Sequence, residues 1–191
     1  MRKLLVLATV LVAGCATPRA PPPRTVFASL GALCGEAFAG RIVSPPVAAD
    51  ASFAGRRLVM HVRECTRDMI RVPFHVGENR SRIWVVTRTA AGYRLKHDHR
   101  HQDGSEDRLT QYGGDSLVPG NPVREMFPAD AFTKQLLVRE GNVAGAANIW
   151  AIELHPGRIF AYELRRPGRF FRVEFDLTRP VSPPPAPWGA R

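Results

Sequence analysis

The segment 93–112, YRLKHDHRHQDGSEDRLTQY, sets His97, His99 and His101 at alternate positions. In an extended chain that spacing puts three imidazoles on one face. Such a row can ligate a metal, orient a polar ligand, or hydrogen-bond within a protein wall. Tyr93 and Leu95 share the odd positions with the histidines, whereas Arg94, Lys96, Asp98 and Arg100 take the even ones. The even side is the wet one, so the histidines continue an inward row. Asp103-Gly104 reads as a two-residue turn. It sets His101 opposite Glu106, His99 opposite Arg108, His97 opposite Thr110 and Leu95 opposite Tyr112, with Arg100 meeting Asp107 on the outer side.

Distance limits the metal reading. Same-face neighbours on a strand lie about 6.8 Å apart and the outer pair about 13.6 Å, against Zn–N bonds of about 2.0 Å, so three histidines cannot share one ion. His99 and His101 with Glu106 across form a feasible two-histidine, one-carboxylate set, opposed by the fixed charge of Arg108 beside it. A hydrogen-bonded structural row and a polar or anionic ligand pocket stand as the other readings. The chain carries no GxSxG, no Gly-rich phosphate loop, no HExxH and no CxxC pair. No catalytic residue and no cofactor is assigned. His61, His75 and His155 are isolated and read as structural or exposed; the YGGD at 112–115 reads as a strand end with a tight turn.

The elements that must position this row follow a period-two pattern from Phe38 onward, broken by turn signals every eight to twelve residues. Around Pro167-Gly168 a two-residue turn sets Leu164 opposite Phe171, Tyr162 opposite Val173, Phe160 opposite Phe175, and Glu163 opposite Arg172 on the other side. A three-residue loop at 155–157, with Gly157 left-handed, adds Trp150, Ile152 and Leu154 to the same inner face. The loop at 90–92 takes the same form. Strands are predicted at 39–44, 57–64 and 69–76, and one helix within 127–142, with Pro128 near its start, Asp130 in the first turn, Gly141 as stop, and Phe132, Leu136 and Leu137 or Val138 on the buried side. The fold class is all-β: a single antiparallel β-barrel of nine or so strands, with the helix inserted before the last three. The predicted ligand wall is His97, His99, His101, Glu106, Arg108, Thr110 and Tyr112 on the polar side, and Trp150, Phe160, Tyr162 and Phe175 on the apolar side.

Arg2 and Lys3 precede an apolar run, 4–12, too short for a permanent transmembrane helix. Residues 1–14 therefore read as a signal peptide. Val12-Ala13-Gly14-Cys15 resembles the lipobox of bacterial lipoproteins, which implies acylation of Cys15 after cleavage before it. Ala16 in the next position implies the outer membrane, facing the periplasm. Residues 15–25 read as the lipidated cysteine and a proline-rich tether, 26–179 as the barrel domain, and 180–191 as a proline-rich disordered tail. Cys34 and Cys65 remain, and an exported chain with an even count favours a disulfide between them.

The chain has 27 basic and 17 acidic residues, and loss of Arg2 and Lys3 with the leader leaves 25 against 17, a formal +8. No Lys/Arg run reaches five, and the arginines are spread over alternate strand positions, so nucleic acid is not expected as a partner. The meander with one helix and an aromatic inner face is similar in architecture to the calycin group of lipocalin and fatty-acid-binding barrels. It lacks their Gly-x-Trp signature, where this chain has GEAFAGR, so no ligand residues carry over. The chain also resembles proteobacterial lipoproteins that carry HDHRH and QYGGD, which implies no activity. The expected protein is lipid-anchored and binds a small, partly apolar ligand inside its barrel. A metal-dependent hydrolytic site, or an envelope component with no interior site, is the alternative.

Overall fold

The computed structural model describes residues 25–190; the leader, Cys15 and the tether up to residue 24 lie outside the described residues. The chain runs α1 (Val26–Gly31), β1 (Ala37–Ile42), a 3₁₀ turn (Ala48–Phe53), β2 (Leu58–His61), β3 (Glu64–Cys65), β4 (Met69–Val76), β5 (Asn79–Thr89), β6 (Gly92–His99), β7 (Tyr112–Asp115), β8 (Arg124–Pro128), α2 (Ala131–Arg139), a second 3₁₀ turn (Val143–Ala147), β9 (Ile149–His155), β10 (Ile159–Arg166) and β11 (Arg169–Val181). All strand pairs are antiparallel, in the order β7-β6-β5-β4-β2-β1-β11-β10-β9-β8, with β3 an extra pair on β4. First and last strands are adjacent, so the meander curls into a nearly closed ten-strand barrel, with α2 before the last three strands. The fold class is the one the alternation predicts.

At the 167–168 turn the sequence reading of the register matches. The 167–168 turn gives Leu164–Phe171, Tyr162–Val173, Phe160–Phe175 and Glu163–Arg172. Gly157 adopts φ 67 as expected, but the loop is 156–158 and pairs His155 with Ile159, two positions away from the register of a 155–157 loop; a shift of two keeps parity, so Trp150, Ile152 and Leu154 stay on the core face. Two other turns differ from expectation. The 90–91 loop has two residues, pairing Thr89 with Gly92 and so setting Trp84 opposite His97. The 102–104 turn has three, as the His101 N–H donates to the Ser105 carbonyl at 2.8 Å and Arg100 bridges Glu106.

Helix α2 starts later than predicted. Phe127 and Pro128 pair with Trp150 and Ile149 of β9, and the helix begins once the Asp130 side chain accepts the Thr133 N–H at 2.8 Å. Its buried side is Thr133, Leu136 and Leu137, spaced i, i+3, i+4, whereas Phe132 and Val138 face solvent. The short α1, absent from the sequence reading, closes one end of the barrel. Thr25 caps it, and Val26, Phe27 and Leu30 are buried, with Phe27 stacked on Tyr93 at 5.3 Å. At the opposite end Phe53 of the first 3₁₀ turn lies against Phe74 and Phe171.

The YGGD at 112–115 is β7 itself, not a strand end with a turn, and its glycines close the barrel. At the seam between β7 and β8 the Leu117 N–H donates to Met126 O (2.9 Å) and the Asp130 N–H to Gly113 O (3.0 Å). A Cβ on Gly113 would lie 1.9 Å from Leu95 O, and one on Gly114 1.7 Å from Pro128 O. Only a chain without side chains there lets both neighbours approach. The C-terminal segment also departs from expectation. Strand β11 runs two residues past 179, where Phe38 and Ala37 of β1 pair with Pro180 and Val181. The rest docks on the barrel instead of hanging free: the Trp188 N–H donates to Arg80 O at 3.1 Å, the Arg80 guanidinium donates to Ala186 O at 3.1 Å, and Pro187 is buried. Cys34 and Cys65 form the expected disulfide, with Cα atoms 6.2 Å apart.

Candidate functional site

The histidine row is one strand of sequence but three environments in space. His97 is buried at the heart of the barrel, stacked on Tyr112 with ring centroids 4.4 Å apart and flanked by Trp150 at 5.1 Å. Its Nδ1 lies 3.0 Å from the Tyr112 carbonyl, which only accepts, so Nδ1 carries the proton. Nε2 is then the acceptor for the Tyr162 hydroxyl at 2.7 Å. Burial, with His99 nearby, lowers the His97 pKa to about 3, so the ring is neutral at physiological pH.

His99 sits at the barrel mouth. Its backbone N–H donates to the Thr110 hydroxyl at 2.8 Å, and its Nε2 lies 3.2 Å from the Tyr112 hydroxyl. Burial and the neighbouring Arg82 lower its pKa to about 4. His101 stands exposed on the hairpin tip. Glu106 lies outside, bonded to Arg100 at 3.0 Å and Gln111 at 3.3 Å. Arg108 points into solvent and reaches Glu140, at the C-terminal end of α2, at 2.7 Å. The set His99, His101, Glu106 is therefore not brought together, and no cluster of three or more metal-ligating side chains occurs among the described residues.

The cause is a register change. Moving from Arg100 to His97 takes three steps on the outgoing strand, while the returning strand goes from Glu106 to Tyr112 in six. The surplus is absorbed in 107–111, where Gln111 takes φ 58. This moves Tyr112 opposite His97, and Thr110 beside His99, so those two predicted wall residues stay while Glu106 and Arg108 leave. The outer contact changes with it: Arg100 pairs with Asp98 at 2.8 Å and Glu106, not Asp107.

The apolar wall residues are all placed inward, but they meet rings from the far side. Trp84 stacks on Tyr162 at 4.4 Å and lies 5.9 Å from Phe160 and 6.2 Å from Phe175. Trp150, Phe160 and Phe175 are fully buried. Trp84, at the centre of this stack, and Arg82 at its rim are the residues that sequence reasoning missed. Their parity with Val86 was the available signal, hidden by the wrong loop length at 90–92. Arg82 pairs across from His99, donates only to Asn79 and Ser81, lies over the Phe53 ring at 5.5 Å, and has no carboxylate at salt-bridge distance among the described residues. Burial lowers its pKa.

A second polar cluster covers the outer face of β8 to β11. Arg124, Arg165 and Arg172 surround Glu153 and Glu163, with Arg124 reaching both carboxylates, at 3.0 and 2.7 Å. Burial of Glu163 favours its neutral form, yet the three arginines outweigh it and hold its pKa at about 2. Arg172 foremost does the same for Glu153, also at about 2. Two carboxylates held ionised by arginines cannot trade a proton near neutral pH, so this pair is structural. His155 joins it through Glu153 at 3.0 Å.

Comparison with known proteins adds no relative: the chain matches no family model, no curated protein and no solved structure.

Proposed function

We propose that the chain is a lipid-anchored envelope protein that acts from the outside of a filled barrel. The observation that carries the second half is the interior packing: Trp84 on Tyr162 and His97 on Tyr112, each at 4.4 Å, occupy the volume a ligand of the lipocalin kind would take. The first half rests on Val12-Ala13-Gly14-Cys15 and on the Cys34–Cys65 disulfide, which suits an oxidising compartment. The histidines then serve the fold, and recognition falls to exposed side chains.

The test has two arms. Cell fractionation with acyl labelling is expected to put wild-type protein in the membrane fraction and Cys15→Ser in the soluble one; unlabelled, soluble wild type overturns the anchor. Titration with fatty-acid, retinoid and haem-like probes is expected to show no saturable uptake. Uptake abolished by His97→Ala would overturn the surface reading and restore an interior ligand.

One observation favours a second reading at the mouth. Arg82 is half-buried with no carboxylate at salt-bridge distance among the described residues, beside His99 and within the field of Tyr112, Tyr162 and the more distant Asp107. A small anion, or the carboxylate of a larger molecule, would meet one fixed positive charge there. Arg82→Gln is expected to remove any anion-dependent rise in melting temperature; an unchanged rise in the variant excludes the mouth.

A further inference from the structure

We infer that the α1 end of the barrel rests on the lipid surface, with Leu117 and Val118 entering the headgroup region; this builds on the proposed acylation of Cys15. Eight large apolar side chains are conspicuously exposed among the described residues, and three of them, Leu117, Val118 and Val123, fall in the single β7–β8 loop. Leu117 and Val118 are 56 % and 69 % exposed. The Val26 N–H donates to Asn121 O at 3.2 Å, so this loop is tied to the point where the chain enters the barrel. Thr25, the cap of α1, is ten positions from Cys15, a span of about 31 Å if extended. An acyl anchor at Cys15 would therefore tether the chain to the bilayer at this end of the barrel.

The loop is built to leave water. The buried Glu125 carboxylate accepts the Gly120 and Asn121 N–H groups at 2.7 and 3.0 Å. The Asn121 side chain accepts the Val123 and Arg124 N–H groups, both at 2.9 Å, and the Leu117 N–H is bonded to β8. Of the loop's backbone donors only the Val118 N–H lacks a protein partner among the described residues, which lowers the chief penalty of entering an interface and leaves one donor for a headgroup oxygen. The surrounding rim favours an anionic surface. Arg67, Arg158 and Arg179 are exposed there without a carboxylate at salt-bridge distance among the described residues, whereas Glu64, Asp68 and Asp115 each pair with an arginine; the carboxylates of Glu36 and of Asp176, which lies beside Arg158 and bonds only Thr178, stand without an arginine partner among the described residues, so the unpaired arginines outnumber them. Aliphatic side chains ringed by unpaired arginines match a lipid surface bearing phosphate headgroups. The opposite end, closed by Phe53 and bearing the second 3₁₀ turn, supplies the control.

The test uses acylated full-length protein carrying one free thiol, Val118→Cys or Val143→Cys, labelled with an environment-sensitive nitrobenzoxadiazole dye. Each is reconstituted in phosphatidylcholine–phosphatidylglycerol vesicles. The label at 118 is expected to shift to the blue and to be quenched several-fold more by nitroxide lipid than the label at 143. Leu117→Asp with Arg158→Gln, in the 118-labelled protein, is expected to stay anchored and lose the shift. Lipid on Cys15 with a water-exposed label at 118, or equal response at both positions, overturns the orientation and leaves the anchor. No lipid on Cys15 overturns both. A shift at 118 that needs added envelope protein, and fails with pure lipid, assigns the loop to a protein partner and overturns the lipid proposal.

Discussion

The Thr133 hydroxyl accepts the Gly113 N–H at 2.7 Å and donates to the Gly113 carbonyl at 2.8 Å, so one side chain of α2 stands in for the missing strand at the barrel seam. Both residues are fully buried, and no water can replace the bond. Thr133→Val keeps the shape and strands the Gly113 N–H, at an expected cost of about 1–3 kcal/mol. Thr133→Ser keeps the hydroxyl and is expected to lose less. Urea unfolding of the three proteins checks the order, and Thr133→Val as stable as wild type would refute the role given to the hydroxyl.

Gly114→Ala places a methyl 1.7 Å from the Pro128 carbonyl oxygen. Backbone cannot yield as a side-chain tip does, so β7 and β8 must part. Amide exchange is expected to accelerate in β8 and at the first turn of α2, while the β10–β11 hairpin, far from the seam, stays protected.

Acid stability is set first by the buried histidines. His97, with a folded pKa of about 3, and His75 and His99, each at about 4, are all depressed chiefly by burial from the ordinary 6.5. The unfolded chain takes up these protons below pH 6.5 while the folded one does not, so stability is lost as pH falls from 6.5 towards 4. His97 alone contributes about 2 kcal/mol of that loss by pH 5. Glu153 and Glu163 act in a separate window, stabilising above their ordinary pKa near 4.5 and losing that contribution as pH falls towards 2. Urea midpoints from pH 7 to 5 should decline in wild type and less steeply in His97→Gln; a flat wild-type profile would contradict the neutral, buried His97.

Arg172 binds Glu153, Glu163 and Glu174 at once. Arg172→Met leaves the buried Glu163 with two arginine partners and Glu153 with one, and is expected to cost about 3 kcal/mol. Adding Glu163→Gln removes the surplus negative charge and should recover part of it. A double variant less stable than the sum of the two single changes would show that charge balance is not what the cluster supplies.

Reduction of Cys34–Cys65 releases a loop spanning 31 positions. The chain-entropy estimate for that loop is about 4 kcal/mol. Cys34→Ser with Cys65→Ser is expected to lower the urea midpoint by a matching amount, with the barrel intact at neutral pH, and an unchanged midpoint would remove the bridge from the stability account.

The alternation of apolar and polar residues determined the all-β class, the inner face of β6 and of β9 to β11, and the pairing across the 167–168 turn, because a short turn with matched side chains on both faces admits one register; between β9 and β10 it determined the face but not the register. Pro128, Asp130 and Gly141 likewise bracketed α2, though its start and the Thr133 side of its buried face came from the structure. What alternation cannot carry is curvature and the far wall. Period two states which way His97 and Tyr162 point, but only closure of the sheet sets the Tyr162 hydroxyl on His97 and brings Trp84 to stack on Tyr162 at 4.4 Å, packing the predicted wall residues against one another. The three-residue 102–104 turn sends Glu106 to Arg100, and the three surplus residues before Tyr112 slide its strand against β6 and leave Arg108 to reach α2. The glycines at 113 and 114 read locally as a turn; their use is to admit Leu95 O and Pro128 O, two carbonyls from neighbouring strands that become neighbours only when the barrel closes.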